Sequence, residues 1–157
     1  MTNKVHPCVI PFIFIIFGTI ACADEPDNIY AVTTDKPLQE VVDDTEFAIT
    51  ERNLRITGEL HIGEAIRERG RTEFPDNEII MYCSLAFAEK MLELSPDYIN
   101  YCPGRITIRQ KNEYIIIAAP LWPEHPDNQE LNLHIKKMNQ LIREIVDFAA
   151  KDWLFEQ

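Results

Sequence analysis

The chain has 157 residues, 15 Lys+Arg against 26 Asp+Glu, a net charge of −11 and 46% hydrophobic residues. That length fits one domain, and the apolar fraction is enough for a real core, which excludes wholesale disorder. The acidity speaks against nucleic acid and against an anionic membrane surface as partners, because both are held by clustered Lys and Arg.

Residues 1–23 read as a cleaved secretory signal peptide and residues 24–157 as a single domain. Lys4 precedes the apolar run VIPFIFIIFGTI, and Ala21-Cys22-Ala23 supplies small residues for cleavage. The uncharged stretch from Pro7 to Ala23 falls short of the roughly 20 residues a spanning helix needs. Thr19-Ile20-Ala21-Cys22 also fits a loose lipobox, and in that alternative Cys22 is acylated and anchors a lipoprotein. Otherwise the expected location is periplasmic or secreted. Either way Cys83 and Cys102 are the cysteines that belong to the folded domain.

In chain order, IYAVTTD at 29–35 is a β-prone stretch. Leu38, Val42, Thr45 and Ile49 then recur at helical spacing, with the helix ending near Asn53. From Leu54 the period changes to two. Leu54, Ile56, Leu60 and Ile62 alternate with Arg55, Thr57, Glu59 and His61, a half-buried strand with Gly58 as a bulge. GEAIRERG is a short helix closed by Gly70.

EIIMYC at 78–83 is a central strand, and Ser84 caps the helix LAFAEKMLEL, which Ser95-Pro96-Asp97 ends. Ile106 and Ile108 alternate with Arg105, Thr107 and Arg109. A turn at Lys111-Asn112-Glu113 leads into YIIIAAPL, giving a hairpin. Asp127 and Glu130 form a capping-box pattern ahead of a last helix whose stripe is Leu131, Ile135, Met138, Ile142, Ile145 and Ala149. The order β-α-β-(α)-β-α-β-β-α gives an α+β class, with helices on one face of a single largely antiparallel sheet.

The usual catalytic signatures are absent: no glycine-rich phosphate loop, no G-x-S-x-G and no H-E-x-x-H. His61 lies at a strand end before a helix start, where an imidazole serves as acid, base or ligand, or simply ties down the turn. Cys83 lies at a strand end before the Ser84 helix start, where a thiol is open to activation. Cys83 and Cys102 have three readings: a disulfide, a pair of buried thiols, or redox or ligand-binding thiols. His61, Cys83 and Cys102 converging on a metal or haem is a weaker alternative, since their spacing matches no zinc motif.

His125, in WPEHPD, is either a pocket-mouth residue or a solvated loop histidine, and His134 falls on the surface of the last helix. Arg67, Arg69 and Arg71 form a local basic cluster, either an anion or partner site or, more commonly, partners of Glu64, Glu68 and Glu73. Trp122, Trp153 and Phe155 suggest packing or a dimer contact.

Taken together, ITGELHIGEAIRERG at 56–70, FPDNEIIMYCSLAFAEKML at 74–92 and SPDYINYCPGRITI at 95–108 resemble the domain of unknown function 302 family. The resemblance runs from about Asn28 to Lys151. It implies a TATA-box-binding-protein-like α+β fold that associates as dimers, and it carries no established activity. The family's histidine falls on His61 and its aromatic-Cys-Asn turn on Tyr82-Cys83-Ser84. Its Pro-Cys-Arg segment falls on Pro103-Gly104-Arg105, so a cysteine is missing there and Cys102 stands two residues earlier. The resemblance nominates His61, Cys83 and Arg105 as a pocket.

The expectation is therefore a homodimeric, exported, non-enzymatic binding or accessory domain. It would hold a small molecule, metal or haem near His61 and Cys83, or dock a redox protein. The alternatives are a redox protein or enzyme working through Cys83 or His61, and a purely structural partner module.

Overall fold

The computed structural model describes residues 28–152. The signal peptide with Cys22, and Trp153 and Phe155, of the sequence reading lie outside the described residues. The chain runs β1 (Ile29–Thr34), α1 (Leu38–Glu51), β2 (Arg55–His61), α2 (Ile62–Glu68), β3 (Asn77–Cys83) and α3 (Leu85–Leu94). A 3₁₀ turn (Pro96–Tyr101), β4 (Gly104–Lys111), β5 (Tyr114–Pro120) and α4 (Gln129–Ala150) complete it. The strands form one sheet in the order β1-β5-β4-β3-β2, and every neighbouring pair is antiparallel. The α+β class and the order of elements are those the sequence implied, apart from the 3₁₀ turn.

Strand alternation sends Ile80, Tyr82, Ile106, Ile108, Ile115 and Ile117 to the helix-bearing face, where all are buried. The α4 stripe meets them: Leu131, Ile135, Met138, Ile142, Ile145 and Ala149 are all nearly inaccessible. Each fully buried Leu or Ile contributes roughly 1.5–3 kcal/mol. In α1 the buried positions are Val41, Thr45, Ala48 and Ile49, while Leu38 and Val42 are only partly covered. The contact surface is therefore rotated by about one position from the predicted stripe, because α1 packs against α4 beside it as well as against the sheet.

Two local expectations change. The cap of α4 is Asn128, whose Oδ1 accepts from the Leu131 N–H at 3.0 Å, and not Asp127. The bulge in β2 falls between Ile56 and Gly58, and it reverses the phase of the strand. Ile56 pairs with Tyr82, on the helix-bearing face. Leu60, four residues on, pairs with Ile79, on the open face, and is 44% exposed. Turns use the residues they need: Gly70 (φ 94°) closes α2, and Asn112 (φ 57°) sits in the β4–β5 turn.

Candidate functional site

The site is built where β3 hands over to α3. The apolar run Ile79–Tyr82 carries β3 between β2 and β4 and ends at Cys83. Ser84 starts the helix, its Oγ accepting from the Phe87 N–H at 3.4 Å. The 3₁₀ turn, with Pro96 in its first turn, swings the chain back so that Cys102 returns to the same place. The Cys102 N–H donates to the Ile99 carbonyl, and the Cys102–Pro103 peptide is cis.

The two thiols face each other with 3.1 Å between Sγ atoms, and both side chains are half-buried. Burial, and after it the hydrogen bond with Cys83 and that group's charge, push the Cys102 thiol up to about 11. A cavity of about 20 Å³, room for one water, touches both cysteines together with Phe87, Trp122 and Met138. Trp122 anchors its aromatic wall: Phe87 stands edge-on at 5.8 Å, and the rings of Tyr101 and Tyr98 lie at 5.7 and 6.1 Å. Tyr98 donates its hydroxyl to the Pro123 carbonyl at 2.7 Å.

Outside, Cys83 and Ser84 open onto a groove of about 480 Å³ that Arg55, Thr57 and Leu85 also line. Arg55 stands directly opposite Cys83 in the β2–β3 ladder, and Leu85 is 81% exposed. Cys83 thus borders a small apolar cavity on one side and a larger groove on the other.

Of the remaining nominated residues, His61 is not gathered here. His61 pairs with Glu78 and Arg55 with Cys83 in the same ladder. The five strand steps between Glu78 and Cys83 place His61 roughly 16 Å from the thiol. The fold therefore does not bring His61 and Cys83 together around one ligand. Among the described residues no three His, Cys, Asp or Glu side chains converge to hold a metal ion.

His61 Nδ1 lies 2.5 Å from Glu78 Oε2, and that hydrogen bond, with the charge of Glu78, raises the imidazole pKa. Arg105 is exposed on the open face opposite Met81. His125 is half-buried, and its Nδ1 accepts from the Asp127 N–H at 3.2 Å. His134 is half-buried with its ring 6.2 Å from Phe87. Arg67 pairs with Asp76 at 2.7 Å and donates to the Phe74 carbonyl, so it fastens the α2–β3 loop; its partner is none of the three glutamates expected.

Two asparagines that sequence reasoning missed hold the site together. Asn139 Oδ1 accepts from the Trp122 N–H at 2.8 Å, and its Nδ2 donates to the Trp122 carbonyl at 2.9 Å. Asn132 grips His125 in the same way, with both bonds at 2.7 Å. Their only signal in the sequence is a pair of amides two helical turns apart, beside the apolar stripe of α4. At Gly104, where the resemblance expects a cysteine, an added Cβ would sit 2.6 Å from the Tyr82 ring. Tyr82 occupies that space at 2% exposure, and burial raises its hydroxyl pKa.

Among curated proteins nothing matches the chain. Among solved structures it is similar to the crystal structure of the uncharacterized conserved protein DUF302 from Bacillus stearothermophilus. The TM-score is 0.69 at 14% identity, over 80% of this chain and 99% of that one, a likeness of fold. The family model described as "Domain of unknown function DUF302" matches residues 30–149. That span takes in every strand but the first residue of β1, and every element of the site, so the chain belongs to the DUF302 family.

Proposed function

We propose that this domain is an accessory redox module whose working part is the thiol pair Cys83 and Cys102, exchanging two electrons with the disulfide of a partner protein. The observation that carries the reading is the 3.1 Å separation of the two Sγ atoms beside a groove open to a partner. Cys83 lines that groove and is the attacking sulfur. Cys102, whose thiol is pushed up to about 11, keeps its proton until the second step.

As a thiolate, Cys83 attacks one sulfur of the partner's disulfide; a mixed disulfide forms and the partner's other sulfur leaves as thiolate. Cys102 then gives its proton to solvent and attacks Cys83 Sγ, expelling the partner's remaining sulfur. The domain has lost two electrons and two protons, and the partner has become a dithiol. Arg55, across from Cys83, offers positive charge where the sulfurs pass through their anionic forms.

The test equilibrates the purified domain in glutathione buffers of graded ratio, then blocks free thiols with a mass tag. The expected result is a single two-electron transition with no species in which one thiol is blocked, and a parallel change in Trp122 fluorescence. A disulfide closing this loop would also stabilise the fold by about 3 kcal/mol. Two thiols that remain fully taggable across the range overturn the reading.

The module is further read as exported, with residues 1–23 removed, and as a homodimer. Intact mass of the mature protein and sedimentation equilibrium test these two points. A second reading, a small ligand held in the groove at Arg55 and Cys83, is favoured by the groove's size, which lies in the range of ligand sites. It predicts ligand-dependent protection of Cys83 alone from alkylation.

A further inference from the structure

The sheet has two faces, and the charges on them are segregated. The helix-bearing face is filled by the core. On the other, the register aligns Arg105, Arg109 and Lys111 of β4, with Arg55 on β2, all exposed. None of these four makes an ion pair with the described residues. No Asp or Glu is found among the strand residues that share the face with them. Between and beside the cations lie Ile79, Met81 and Ile116, only partly covered. In a chain of net charge −11, a face that is basic and apolar at once is an exception to the whole.

We infer that this open face docks an acidic protein segment in extended conformation, with carboxylates alternating with apolar side chains. Charge complementarity supports that occupant. Arg109 and Lys111 are two residues apart on one strand and Arg105 four residues from Arg109, so the cations recur at steps of roughly 7 and 13 Å. An extended acidic segment repeats its side chains at the same interval. The apolar side chains between the cations give such a segment a surface to bury, which charge by itself does not provide.

The same face of a second copy is a poor occupant, because face-to-face pairing would set like charges against one another. A long polyanion is disfavoured for another reason: beyond the edges of this face it would overhang an acidic molecule. The inference does not rest on thiol chemistry; it requires only the sheet register and the charges.

The experiment records amide NMR spectra of the mature domain with two synthetic peptides, one alternating Glu with Val and one alternating Lys with Val. The expected outcome is shift changes on the β3, β4 and β5 amides with the Glu peptide only, weakening as salt is raised. Reversing charge in Arg105→Glu/Arg109→Glu should weaken binding at least about tenfold, while an unchanged spectrum elsewhere shows that the variant is folded. Binding of both peptides alike, shifts on the helices, or no effect of the double variant overturns the inference. So does saturable binding of single-stranded DNA or phosphatidylglycerol vesicles at this face in place of the peptide. A concentration-dependent dimer that protects the same amides would assign the face to a second copy and equally overturn it.

Discussion

The side-chain amide of Asn139 closes two hydrogen bonds with the backbone of Trp122, accepting from its N–H at 2.8 Å and donating to its carbonyl at 2.9 Å. A helix side chain thereby pairs with a connecting segment as a strand would, and it fixes the indole that walls the two-thiol cavity. Trp122 lies past the end of the β1–β5 ladder, so its backbone groups are satisfied by α4 instead.

Asn139→Ala removes both bonds and leaves the Trp122 backbone groups unpaired next to a buried ring. The expected cost is about 1–3 kcal/mol, measured by urea denaturation, with a red shift of Trp122 emission at low denaturant as the loop opens to water. Asn139→Asp keeps the acceptor and loses the donor, and should fall between the two.

Lys36 is buried, and its Nζ donates to the carbonyls of Ala149 at 3.2 Å and Lys151 at 3.0 Å while also bonding the carboxylate of Asp44. One ammonium thus satisfies the carbonyl end of α4 and joins it to α1. Lys36→Met leaves Asp44 and those carbonyls without their donor, and a loss of about 3 kcal/mol is expected. Hydrogen exchange should show the last turn of α4 opening before the rest of the helix.

The His61–Glu78 pair gives a pH signature. The Glu78 carboxylate raises the folded-state pKa of His61 above its ordinary value of about 6.5. The contribution to stability is therefore fully present below the unfolded value and fades as pH rises through the folded one. NMR titration of the His61 ring should give a raised pKa in the wild type and a value nearer the ordinary one in Glu78→Gln. The stability gap between the two proteins should narrow as pH rises past that range. His61 is 56% exposed, so solvent screens the effect and keeps it small.

Gly104→Cys introduces the residue that the resemblance leads one to expect there. In this chain the new Cβ runs into the Tyr82 ring at 2.6 Å, and overpacking should cost about 1–3 kcal/mol. Combining it with Tyr82→Leu should recover part of that loss in thermal unfolding, because the ring is what fills the space. A loss unchanged in the double variant would place its cause elsewhere.

The sequence by itself determined the elements and the class of the fold. Periodicity found α4 and its stripe because a helix that buries one face must repeat its apolar residues every three or four positions. Ser84 and Gly70 marked helix ends through local chemistry that needs no distant partner. The nomination of Cys83 and Cys102 also came from the sequence, since few residue types carry such chemistry.

Only the tertiary structure decided which of these residues meet. The β2 bulge, a single extra residue, reversed the faces of Ile56 and Leu60 and set His61 against Glu78, a long way from Cys83. The 3₁₀ turn brought Cys102 back to Cys83. Asn139 and Asn132 read as ordinary polar residues because their partners are backbone groups, which every residue has and no sequence pattern marks, and the carbonyls that Lys36 holds are of the same kind. The basic face emerged only when the strand register placed Arg55 of one strand on the same side as Arg105 and Arg109 of another. Composition counts charges over the whole chain, and it is the fold that sorts them in space.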